Sequence, residues 1–165
     1  MRKTTTTILA AALLVAGAVP AMARPTSSYQ ISATHTGSYG GSVAVTFDEG
    51  SVSGVVTTRI CADGGVETWT STSVTTSTVS LDRHLDNVSV SADFVADHTG
   101  CDGSPTSGVS TSAAINGGMA VGKTARSRDA ATGDRILETQ LLVTVIVPDL
   151  NPQGVGGLLT ETISK

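Results

Sequence analysis

From Val88 to Ala96 every second residue is apolar: Val88, Val90, Ala92, Phe94 and Ala96, with Ser89, Ser91 and Asp93 between them. A period of two puts one set of side chains on each side of a pleated strand, and a helix of 3.6 residues per turn cannot keep them apart. The same alternation recurs in Val43, Val45 and Phe47 against Ala44 and Thr46. Thr, Ser, Val and Gly dominate the chain, and the β-branched pair among them favours extended backbone. The chain is therefore expected to fold as strands with one dry face and one wet face.

Turn-forming residues cut these runs at short intervals. Gly37–Gly41, Asp48-Glu49-Gly50, Asp63-Gly64-Gly65, Asn116-Gly117-Gly118 and Ala130–Asp134 all carry Gly, Asn or Asp, which tolerate or stabilise tight backbone reversals. Reading between them places strands near 29–36, 42–48, 52–61, 66–80, 87–97, 109–115, 119–127, 134–147 and 157–164. Leu141–Val147 is apolar on both faces, as in a central strand or one with a covered outer face; Pro148 ends it, lacking an N–H for the ladder. Many short strands with Gly-rich turns define an all-β class. The preferred architecture is an antiparallel β-sandwich, with an immunoglobulin-like variant considered because Trp69 follows Cys61. The alternative is an antiparallel β-barrel.

The first 23 residues read differently. Arg2 and Lys3 precede an uncharged stretch from Ile8 to Val19, then Pro20 and Ala21-Met22-Ala23. That is the layout of a secretory signal peptide with small residues before its cut. The stretch is shorter than the roughly 20 apolar residues a membrane helix needs. Residues 24–165 then form a single all-β domain of 165 − 23 = 142 residues, with a net charge of −6 once Arg2 and Lys3 are gone from a total of −4. No transmembrane segment is expected after cleavage. A negative balance also points away from nucleic acid, whose phosphates call for a basic surface. The expected compartment is extracytoplasmic: released, or kept in the cell envelope. There the two cysteines, Cys61 and Cys101, are expected to form a disulfide.

Candidate chemistry is sparse. The sequence has no G-x-S-x-G, H-E-x-x-H, P-loop or dinucleotide fingerprint. His35 reads as a surface residue near a strand end; His84 and His98 read as turn residues. A loop spanning Asp97–Gly108 holds the densest polar cluster, and Asp97 and Asp102 are its weak candidates for calcium ligands, with Asp129 and Asp134 a similar pair elsewhere. Plain turns use the same residues, and that reading is preferred. Asn87-Val88-Ser89 fits a glycosylation acceptor. No catalytic residue and no cofactor is assigned.

Three functions fit these residues, and the first is preferred. It is a secreted, non-enzymatic module that binds an unknown protein or surface ligand through loops or a sheet edge. The second is a small hydrolase built on His98, Asp97 or Asp102, and Ser104. The third is a surface protein that assembles by strand pairing, with Leu141–Val147 as a core and Leu158–Ile163 as an edge.

Overall fold

The computed structural model describes residues 25–36, 40–82, 87–122, 124–147 and 152–164. The expected signal peptide and His84 lie outside them. The described residues form nine strands: β1 (Thr26–His35), β2 (Gly41–Phe47), β3 (Val52–Ile60), β4 (Val66–Leu81), β5 (Asn87–Thr99), β6 (Pro105–Ala120), β7 (Ala125–Arg128), β8 (Arg135–Ile146) and β9 (Gln153–Ser164). All pairings are antiparallel. The all-β class follows from the alternation as expected.

The strands run β6-β5-β4-β3-β2-β1-β9-β8-β7, and β6 also pairs with β8. The pairing is therefore cyclic: β1 to β6 in order, then β8, β9 and back to β1. That is the connectivity of a meander barrel. A ring flattened until its opposite walls touch is also two facing layers, and both descriptions share one inward face. The immunoglobulin-like variant is not observed. It needs Greek-key crossings, whereas here successive strands are neighbours, apart from the short β7.

The inward face is the apolar one. Ile31, Val43, Val45, Phe47, Val55, Val88, Val90, Phe94, Ile115, Leu141, Val143 and Leu159 are all at most 2% exposed and lie in one cluster. Ser, Thr and Gly fill most outward positions. Leu141–Val147 is internal to the ring, flanked by β6 and β9. Its outer side chains are nonetheless open, with Leu142 49% exposed. β9 is hydrogen-bonded to β1 on one side and β8 on the other, so Leu158–Ile163 is not an edge.

Aspartates close four of the turns. Asp63 Oδ1 accepts from the N–H of Gly65 at 3.0 Å. Asp48 Oδ1 accepts from the N–H of Gly50 and Ser51 at 2.8 and 2.7 Å, Asp102 Oδ1 from Ser104 at 2.9 Å, and Asp129 Oδ1 from Ala131 and Thr132 at 2.8 and 2.9 Å. Two expected features fall differently. Asn116-Gly117-Gly118 is a bulge inside β6, not a hairpin, since the residues on both sides of it pair with the same strand, β8. Gly117 takes φ +64°, and a Cβ on Gly118 would stand 2.5 Å from Val88. The long 97–108 loop shrinks to residues 100–104, because β5 runs on to Thr99 and β6 already begins at Pro105.

β4 carries bulges against β5 at Ser71/Ser73 and Val74/Thr76, and its ladder with β3 stops at Val56 and Thr70. Serine hydroxyls take over beyond that pair: Ser71 Oγ accepts from Val55 N at 2.9 Å, and Ser77 Oγ from Val52 N at 3.2 Å. The buried N–H groups of β3 are thus satisfied without a carbonyl partner.

Candidate functional site

A meander puts alternate turns at opposite ends of the ring. One end gathers the turn between β3 and β4 and that between β5 and β6, and a disulfide ties the two turns together; this is the sealed end, although a shallow pocket of about 450 Å³ lies over the bridge. Cys61 and Cys101 are joined there, with Cα atoms 5.8 Å apart. Beside the bridge Glu67 points inward with its side chain 9% exposed. Arg59 Nε donates to Glu67 Oε2 at 2.7 Å, and the other arm of the guanidinium forms an ion pair with the same oxygen. His98 Nε2 lies 2.8 Å from Oε1, so the ring carries its proton on that nitrogen. The imidazole stacks on Trp69, centroids 4.8 Å apart, and Arg59 Cζ sits 5.6 Å from the same indole. The Cys101 sulfur is 3.9 Å from Glu67; a disulfide sulfur has no hydrogen, so this is a packing contact.

Every member of this cluster has a partner inside it. His98 is not the turn residue expected but a strand residue locked by a carboxylate and an indole. Ser104 hydrogen-bonds Asp102, so the hydroxyl faces an acid and not the imidazole a serine nucleophile needs. Asp97 stands exposed on β5, and Asp102 is pulled below the usual carboxylate range by Ser104, whose hydroxyl and N–H both donate to it. Among the described residues no three His, Cys, Asp or Glu side chains gather as a metal site requires. The glycosylation pattern lies at the start of β5, where the Ser89 hydroxyl donates to Asn116.

His35 corrects the sequence reading outright. It is 2% exposed, because β1 turns its odd-numbered residues inward up to the last one. Nε2 is 3.3 Å from the Thr58 carbonyl, and Nδ1 has no partner. Burial pushes its pKa below the ordinary 6.5.

The other end is open. A cleft of about 900 Å³ lies between the end of β4 (Val79–Asp82), the turn after β2 (Glu49) and the strands β7, β8, β9 and β1. Its wall is a single row of cross-strand partners: Arg126 opposite Leu137, Leu137 opposite Glu161, Glu161 opposite Tyr29. Directly opposed residues share a face, and all four line the cleft. Glu161 Oε1 accepts from Ser27 Oγ at 3.0 Å and from Tyr29 Oη at 3.4 Å. Tyr29 is also stacked on Phe47, centroids 5.4 Å apart. Desolvation, with Glu161 adding to it, raises the phenol above 10.0. One step inward, Thr124 and Thr139 join hydroxyls at 3.0 Å. None of these cleft residues was singled out from the sequence as a site. The signal available was alternation: 135, 137 and 139 continue the inward set of Leu141 and Val143.

No protein-family model, curated protein or solved structure shows a significant match to this chain. The geometry of the two ends is therefore the whole basis for a functional reading.

Proposed function

We propose that this chain is an extracytoplasmic, non-enzymatic binding module whose ligand seats in the open end of the ring. The carrying observation is the cleft itself, about 900 Å³ with one ordered wall of Arg126, Leu137, Glu161 and Tyr29. The mouth of a β-barrel is a common place for a ligand, because strands fix the wall while turns shape the rim. The wall combines a cation, an apolar side chain, a carboxylate and a phenol. Such a set can orient a ligand by charge, apolar contact and hydrogen bonding. The Cys61–Cys101 bridge fits an oxidising compartment.

The test compares the two ends. A Leu137→Glu variant that keeps its thermal midpoint is expected to lose binding to the envelope fraction of the source cell. His98→Ala is expected to keep it at whatever fraction stays folded. Binding that survives Leu137→Glu and vanishes with His98→Ala would place the site at the sealed end and sink the proposal.

A further inference from the structure

The chain is acidic overall, at −4, yet one hairpin at its open end gathers three arginines. Arg126 and Arg128 are two apart on β7, so both point to the same side. Arg128 stands directly opposite Arg135 on β8, and Arg126 directly opposite Leu137. The three side chains therefore leave from the cleft-facing side of the β7–β8 hairpin, and Arg126 lines the cleft itself. Cβ atoms of opposed residues lie about 5 Å apart, and those two along a strand about 7 Å.

Glu49, Asp82 and Glu161 line the same cleft as Arg126, but among the described residues no carboxylate forms an ion pair with any of the three hairpin arginines. Glu67 pairs with Arg59 and His98 at the other end. Arg128 donates to the carbonyl of Gly133 at 3.1 Å, which leaves its charge uncompensated. The carboxylates nearest in the row do not approach: Glu161 lies two strands from Arg126 with Leu137 between, about 10 Å, and it is held by Ser27 and Tyr29. Asp129 and Asp134 sit in the adjoining turn, where Asp129 accepts backbone N–H groups and Asp134 accepts from Thr132 Oγ1 at 2.8 Å. Like charges placed directly across a strand pair destabilise it. Their neighbourhood on a four-residue strand therefore costs stability unless something between them is negative.

We propose that the β7–β8 hairpin is an anion-recognition site, taking a ligand with two or more oxyanions spaced to meet Arg128, Arg135 and Arg126. Guanidinium forks bind carboxylate and phosphate oxygens two at a time, so either chemistry fits. This inference rests on the open cleft as the binding surface and specifies what enters it.

The experiment is an amide chemical-shift titration of the oxidised protein, with pyrophosphate in one arm and citrate in the other, and sodium chloride at matched ionic strength as reference. Saturable shifts at 124–128 and 135–139 that extend across the cleft wall to Tyr29 and Glu161 are expected in at least one arm, and the responding arm tells phosphate from carboxylate. Arg128→Gln and Arg135→Gln are each expected to weaken the response about tenfold. No saturable shift in either arm overturns the proposal, as does one that sodium chloride reproduces or that both substitutions leave intact. The two readings fail separately. Shifts at the arginines with Tyr29, Leu137 and Glu161 silent keep the anion site and remove the cleft as its seat. Shifts at those three that ignore the substitutions keep the cleft and overturn the anion site.

Discussion

The two ends of the ring use the same residue types to opposite effect. At the sealed end, Arg59 meets Glu67 on the neighbouring strand, and His98 on the next strand completes the set. At the open end, Arg128 meets another arginine, and Glu161 is separated from Arg126 by a leucine. One end is a satisfied network; the other keeps unmatched charge at the rim of a cleft. Polar groups that complete one another stabilise a fold, whereas groups left unmatched on a rigid scaffold are available to a ligand.

The largest effect that separates the ends should come from the bridge. It closes a separation of 40 residues, and Cys61→Ala with Cys101→Ala is expected to cost about 4 kcal/mol in urea unfolding. A loss below about 1 kcal/mol would mean that the network beside it suffices to seal that end. Next comes Glu67→Ala, which leaves a partly buried guanidinium and imidazole without their acceptor. A cost of about 3 kcal/mol is expected, and Arg59→Ala should cost less, because Glu67 would retain His98. Equal losses would show that Arg59 alone anchors the cluster.

Acid provides the third contrast. Burial holds the His35 pKa below its unfolded value of 6.5, so the unfolded chain takes up the proton more readily. The stability due to the neutral ring is present above pH 6.5 and is lost as pH falls below it toward the lowered folded value. The thermal midpoint should therefore drop on acidification, and His35→Gln should flatten that part of the profile. An unchanged slope would assign the acid sensitivity to other groups. The smallest effect belongs to the open end: Arg128→Gln should change stability by no more than about 0.5 kcal/mol, in the stabilising direction, since it removes a like-charge neighbour. A clear destabilisation would mean that the arginine serves the fold and not a ligand.

Much of the fold was legible because strand alternation is a local property. The inward sets Val43-Val45-Phe47 and Val88 through Ala96 follow from period two alone, and both are buried. The turns at Asp48, Asp63 and Asp129 are equally local, since an aspartate caps the N–H groups that follow it. The Asn116-Gly117-Gly118 turn failed for the converse reason. A hairpin and a bulge use the same residues, and only the pairing on both sides of it with β8 makes it a bulge.

By itself the sequence determined the all-β class, most of the strands, the dry faces at Val43–Phe47 and Val88–Ala96 and the pairing of two cysteines, because spacing along one chain carries that information. Only the tertiary structure decided which strands are neighbours. Register set Glu67 between Arg59 and His98, buried His35 under the turn side of β2, and laid Arg128 against Arg135. Those contacts join residues distant in the chain or on separate strands, and their energies depend on cross-strand distances that no run of residue types specifies.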